Sequence, residues 1–354
     1  DTAGFTIVET GGSTEVAESG TTDTFTIVLD AQPASDVVLT VTSSDTGEAT
    51  VTGTLTFTPL NWDTPQTVTV TGVDEGIVDG SQTSTITITI DDANSDDDFD
   101  TVADQTVTAT TTDDDTAGFA VAETDGSTEV AESGTTDTFT VVLTAQPASD
   151  VVLTVTADAN DEASIAPSSV SFTPANWDTP QTVTVTGVDE SLVDGDQVST
   201  ITVAVLDQAS DSNFIDAPDQ TISVSTTDDD TAGFTVAETD GSTEVAESGT
   251  TDTFTVVLDA QPASDVVLTV TSGDTGEATV TSTLTFTPLN WDTPQTVTVT
   301  GVDDNLVDGN IDSTITIAVD DASSDNDFDA VADQTVTTTT TDDDVAGFTI
   351  AQSG

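Results

Sequence analysis

The chain has 354 residues, 67 of them Asp or Glu and none Lys, Arg or His, so its formal net charge is −67. Ion pairs and Arg clamps are impossible within it, and neither nucleic acid nor anionic membrane surfaces, which are bound through Lys and Arg, are expected partners. Without Cys there is no disulfide or thiol chemistry, and no apolar run approaches the roughly 20 residues that span a bilayer, so membrane insertion is not expected.

The first predicted element is Phe5–Val8, closed by the turn at Gly11-Gly12. Thr22–Leu29 follows, then a turn at Gln32-Pro33, then Val37–Thr42 and a turn over Ser44-Asp45-Thr46-Gly47. Next come the Leu55–Phe57 region, Gln66–Gly72, a turn at Asp79-Gly80, and the last two stretches, Ser84–Asp91 and Gln105–Thr112. In the longer stretches an apolar residue takes every second position with Thr between, a period that marks half-buried strands. Gly, Pro, Asn and Asp supply the turns, and no helical stripe appears. Seven short strands in about 115 residues predict an immunoglobulin-like β-sandwich, an all-β fold.

The unit repeats. FTPLNWDTPQTVTVTGVDE around Trp62 returns with small changes around Trp177 and Trp291, and AGF recurs at Phe5, Phe119, Phe234 and Phe348. The predicted units are 2–115, 116–230 and 231–344, with 345–354 as the opening strand of a fourth. A period this long fits a complete small domain better than a solenoid repeat. The pattern begins and stops in mid-period, with Asp1 resembling the end of an earlier Asp run, which reads as a window from a longer array.

Acidic residues gather at predicted strand ends in three recurring clusters. One is the Glu of VAESGT: Glu18, Glu132 and Glu247. Another is the loop after the Trp segment: Asp74, Glu75 and Asp79; Asp189, Glu190 and Asp194; Asp303, Asp304 and Asp308. The last is a terminal triplet: Asp113, Asp114 and Asp115; Asp228, Asp229 and Asp230; Asp342, Asp343 and Asp344. Two carboxylates about 4 Å apart repel by roughly 1 kcal/mol even in water, and no basic side chain exists to relieve them. Calcium, which takes six to eight oxygen ligands from flexible loops, fits better than magnesium, which dehydrates reluctantly. Zinc lacks its usual His or Cys. The run SDDDFD at Asp96–Asp100 mimics an EF-hand loop, but Thr101 and Val107 replace the required Gly and Glu. It reads as a solvated hairpin whose Phe99, Phe214 or Phe328 plugs the end of the sandwich.

The order VAESGTTDTFTIVLDAQPASDVVLTV, LTFTPLNWDTPQTVTVTGVDE, TTDDDTAGF resembles the Calx-beta domain, known from sodium–calcium exchangers and from tandem arrays in bacterial surface proteins. The resemblance implies calcium ions clustered at one tip of a seven-stranded sandwich, next to the following domain. The ligands it implies are Glu18, Asp74, Glu75, Asp79 and Asp113–Asp115, with their counterparts in the later units. The acid of the SSDTGE turn, Asp45 or Asp274, is a further candidate, replaced in the second unit by Asp158 or Asp161.

With no flexible linker between units, calcium at the triplet would sit at the hinge. The expected function is therefore mechanical: a calcium-stiffened stalk of an adhesin or an extracellular fibre, secreted or at the cell surface. Its partners would be calcium ions, neighbouring repeats and, in a fibre, further copies joined through the strand Gly347–Ile350. A glycan- or mineral-binding module is the alternative, in which only Trp62, Trp177 and Trp291 could stack on sugar. An ice-binding role for the Thr ladders fails because a twisted sandwich gives no flat array. An enzyme is not expected, since nucleophile–His, Lys and Cys chemistries all lack their residues.

Overall fold

The computed structural model describes residues 2–158 and 162–352; the expectations for Asp1 and Asp161 fall outside them. In the first unit the strands are Phe5–Glu9 (β1), Thr14–Ala17 (β2), Thr22–Leu29 (β3), Val37–Ser43 (β4), Ala49–Val51 (β5), Thr54–Phe57 (β6), Gln66–Gly72 (β7), Ile77–Val78 (β8), Gln82–Ile90 (β9) and Gln105–Thr112 (β10). They form two facing sheets, β1-β3-β7-β5 and β2-β10-β9-β4-β6, and the other two units repeat both orders. The chain is thus three tandem immunoglobulin-like sandwiches.

All seven predicted strands of the first unit are present, joined by short segments that alternation could not show. Gly11 and Gly12 adopt φ of 93° and 91°, a region open mainly to glycine. That turn moves the chain from one sheet to the other, so the opening strand is followed by β2, which lies parallel to β10. The three residues of β5 pair with the end of β7. Among the described residues, Gly347–Ile350 forms no strand and leaves Phe348 exposed. The segment lacks the partner that β3 gives β1.

Alternation decides which face is core. Phe25, Ile27 and Leu29 of β3 face inward with Val68 and Val70 of β7, and Leu39, Phe57, Ile86 and Ile88 close over them from the other sheet. Burying each such side chain contributes about 1.5–3 kcal/mol, while the intervening Thr residues stay on the solvated faces. Trp62 packs partly buried against this core, as Trp177 and Trp291 do against theirs.

The end plug is real but is not a hairpin. Asp97–Phe99 is a single 3₁₀ turn with Phe99 buried. Asp96 accepts hydrogen bonds from the backbone N–H groups of Ala34 (2.6 Å), Ser35 (2.8 Å) and Asp98 (3.1 Å). These bonds hold its carboxyl below the usual range. Asp96 is therefore a structural clasp on the 33–35 loop. Asp211 accepts from Ser149 and Asn213 in the second unit in the same way, although that segment has lost most of its other acids.

Successive sandwiches touch through one loop. β8 pairs in parallel with Gln146–Pro147 of the second unit, and Val78 joins that unit's core. Leu192 makes the corresponding bridge to Gln261, and Val193 enters the third core. No helix of the described residues is long and apolar enough to cross a membrane.

A candidate metal centre at the end of each sandwich

The parallel pairing of β2 with β10 builds the site. Register places Ala17 beside Thr112, so the residues that follow, Glu18 and Asp113, leave the sheet together at one edge. The Glu18 N–H donates to the Thr112 carbonyl at 3.1 Å, fixing the backbone while the side chain turns under the loops. Glu18 and Glu132 are fully buried, and neither carboxylate has a hydrogen-bond partner.

Asp113 ties the acidic loop to this edge. Its Oδ2 accepts from the N–H groups of Asp79 (3.0 Å) and Gly80 (2.8 Å), and its Oδ1 accepts from Asp115 N–H at 2.8 Å. Asp228 makes the same three bonds to Asp194, Gly195 and Asp230. Asp342 bonds Gly309 at 2.8 Å and Asp344 at 2.7 Å, and these bonds hold its carboxyl below the usual range.

A member that sequence reasoning passed over completes the cluster. Glu48, buried beside the end of β5, is held by its own backbone: its carbonyl accepts from Val73 N–H at 2.9 Å and from the buried Thr111 hydroxyl at 3.3 Å. Glu162 and Glu277 take the same place, with Thr226 and Thr340 as hydroxyl donors. The signal was present, because a Glu recurs at this position in all three units while the Asp before it does not. Asp45 instead closes its own turn, accepting from Gly47 N–H at 2.9 Å, and Asp158 accepts from Thr200 N–H at 2.7 Å.

Carboxylate oxygens of Glu18, Glu48, Glu75 and Asp79 lie within 4.8 Å of one another, as do those of Glu18, Asp113 and Asp115. The second unit gathers Glu132 with Asp228 and Asp230, and Glu132 with Glu190 and Asp194. The third gathers Glu247 with Asp342 and Asp344. Asp74, Asp189 and Asp303 are exposed, and their charges act on Asp115, Asp230 and Asp344. Asp304 and Asp308 act on Glu277. In each triplet the middle residue, Asp114, Asp229 or Asp343, is exposed. Extended backbone turns alternate side chains to opposite sides, so only the outer two reach the cluster.

Burial, reinforced by neighbouring carboxylates, pushes Glu18, Glu48 and Glu132 up to about 7. Burial likewise raises Glu75, Asp115, Asp230, Glu277 and Asp344. Carboxylate oxygens of Glu18, Asp79, Asp115, Asp194 and Asp230 are buried without a protein donor. Orphaned acceptors cost free energy when buried, and an all-oxygen, multi-carboxylate set is the donor chemistry of a hard divalent cation. The residues therefore fit calcium.

No family model and no curated protein matches the chain. Among solved structures, an I-band fragment of titin is 10% identical with a TM-score of 0.29, covering 96% of this chain and 96% of that one. CBD12 from CALX1.2 is 13% identical with a TM-score of 0.24, covering 62% of this chain and 99% of its own. Domains 4–9 of the surface layer protein SbsC are 16% identical with a TM-score of 0.25, over 94% of this chain and 49% of theirs. Scores this low add nothing to what the strands themselves establish.

Proposed function

We propose that this chain is a calcium-binding array of Calx-beta-like sandwiches, with units at 2–115, 116–230 and 231–344 and a fourth opening at 345–354. It acts as a load-bearing spacer, an adhesin stalk or an extracellular fibre, in a secreted or cell-surface protein. The observation that carries this reading is the fully buried Glu18, repeated as Glu132, whose carboxylate has no protein donor in a chain without one basic side chain.

In each unit the Glu of VAESGT, the strand-end Glu48, Glu162 or Glu277, the loop acids and the outer residues of the Asp triplet would hold the ion. Bound calcium would supply the positive charge that the sequence omits. The chain's own residues do the rest. Asp113 fastens the 79–80 backbone to the end of β10, and the same loop carries Val78 into the next sandwich. Ordering the cluster therefore orders the joint. Extracellular modules of this kind bind calcium at roughly 10⁻⁴–10⁻³ M.

Glycan stacking has no support, because each Trp is partly buried against its own core. A catalytic role is no part of the reading, since the same cluster recurs at every junction as a repeated physical device would. Small-angle scattering with calcium and with chelator tests the proposal. A longer, stiffer particle with calcium is the expected result, and equal maximum dimensions in the two states rule out stiffening.

A further inference from the structure

Each sandwich carries a strand edge whose backbone groups are left open. β1 pairs with β3 on one side only. Asp30 N–H donates to the Gly4 carbonyl at 2.9 Å and Thr10 N–H to the Thr24 carbonyl at 3.1 Å, so the even-numbered residues direct their backbone groups at β3. In an antiparallel ladder the odd-numbered ones then point outward. Two of the outward carbonyls are satisfied locally, Phe5 by Gln105 Nε2 at 2.6 Å and Glu9 by Gly12 N–H at 3.3 Å. The Ile7 N–H and C=O and the Glu9 N–H have no partner among the described residues.

These groups face a groove of ≈ 520 Å³ lined by Ile7, Glu9, Gly12, Gln105, Thr106 and Val107. Its far wall is the first half of β10, because β2 covers that strand only from Ala109 onward. The Thr112 carbonyl is the one that receives Glu18 N–H, which puts the even-numbered residues of β10 on this side and leaves the Thr106 backbone open. The third unit has the same groove, ≈ 500 Å³, between Val236, Glu238 and Gly241 on one side and Gln334, Thr335 and Val336 on the other. The first unit has a sandwich seated after it and the third has one seated before it. Neither kind of neighbour fills the groove.

We propose that this groove takes an extended segment of another protein, with an apolar residue two places from a Lys or Arg, as an added strand on β1. Such a strand supplies the missing backbone partners, and every second side chain falls on the groove side. Ile7, partly buried on the core, and Val107, 3% exposed, make an apolar floor. Glu9, two residues along, selects the charge. Its carboxylate is held by the Thr14 hydroxyl at 3.4 Å, and those of Glu123 and Glu238 by Thr128 at 3.1 Å and Thr243 at 3.2 Å. A cation on the incoming strand makes a charge-assisted bond there. A second copy of this chain brings no cation, and like charges facing across an interface select against it. Because the edge recurs in each unit, a partner with several such segments gains avidity along the array. The Glu18 cluster lies beyond the other end of β10, so the contact does not require bound calcium.

The probe is the capped peptide Thr-Val-Thr-Arg-Thr-Val-Thr, which reads the same in either strand direction. It is titrated calorimetrically into the whole chain at near-physiological salt, with calcium saturating so that the acidic clusters do not compete. Amide exchange at Ile7 and Glu9 should slow by about tenfold or more at saturation. Glu9→Gln combined with Glu123→Gln and Glu238→Gln should weaken binding by about fivefold or more. Glu15→Gln combined with Glu129→Gln and Glu244→Gln removes the same charge from neighbouring exposed positions, and should change binding less than about twofold. A fully N-methylated peptide of equal charge should not bind the unaltered chain, a result that needs no variant to fold. Unchanged exchange at Ile7 and Glu9, equal losses in the two triple variants, or binding of the N-methylated peptide overturns the proposal.

Discussion

Gly72 lies so close to Ala17 that a Cβ added to it would stand 2.0 Å from the Ala17 carbonyl oxygen. Gly187 meets Ala131 at 2.0 Å and Gly301 meets Ala246 at 2.1 Å. The end of β7 is thus pressed against the exit of β2, where the buried Glu begins. Gly72→Ala should force that exit outward, destabilising the unit by about 1–3 kcal/mol as overpacking does and weakening calcium binding there. Urea unfolding together with calorimetric titration checks both effects.

Glu48→Gln should act with opposite signs in the two states. Removing a carboxylate from a metal-free cluster relieves repulsion, so the apo protein should melt higher at neutral pH. Losing a ligand charge should weaken calcium binding by roughly tenfold or more, since ligand charge sets affinity. Calorimetry with and without chelator measures the pair. A variant equal to wild type in both states would remove Glu48 from the site.

The pH dependence follows from the raised carboxyls. Glu18, Glu48 and Glu132 have ordinary values of 4.5 and stand at about 7 when folded. Between those limits the folded state holds more protons than the unfolded state, so stability falls as pH rises. Apo protein should therefore be at its most stable below pH about 4.5 with respect to these groups, and should lose that contribution as pH climbs through about 7. Saturating calcium should remove the decline. A calorimetric melting series from pH 4 to 8, with and without calcium, checks it, and an apo melting temperature that rises across this range would contradict the buried cluster.

The Asp triplet offers an internal control. Asp114→Asn changes an exposed side chain and should leave calcium affinity within about twofold, as surface changes generally do little. Asp113→Ala removes three acceptor bonds to Asp79, Gly80 and Asp115. That variant should weaken binding strongly and free the loop that carries Val78. Amide exchange at residues 76–80 should rise in Asp113→Ala and not in Asp114→Asn.

Asp96→Ala should separate the two ends of the sandwich. Its carboxyl clasps the 33–35 loop and lies at the opposite end of β4's sheet contacts from the acidic cluster. The melting temperature should drop while calcium affinity of the Glu18 cluster stays as it was. A large loss of affinity would restore the EF-hand-like reading of that run.

Much of this molecule is written in its chain. Period-two alternation with Thr between branched residues settles strand from helix and core face from solvent face. A repeat of 114 or 115 residues, with the same Trp segment each time, fixes three domains before any coordinate is known. Recurrence of acids at strand ends, in a chain with no cation of its own, points to the region of the site. Those are local or statistical properties, and sequence carries them directly.

Tertiary structure decided what depends on distant residues meeting. Parallel pairing of β2 with β10 brings Glu18 to Asp113 across nearly the full length of a unit, and no local pattern encodes that. Glu48 looked like the end of a turn until Thr111 and Val73 fixed its backbone beneath the loops. Exposure, which separates Asp114 from its two neighbours, follows from how the chain leaves the last strand. The apolar pair at Ile77–Val78 is too short to register as a signal, and only the packing of one sandwich on the next shows it to be the peg of the joint.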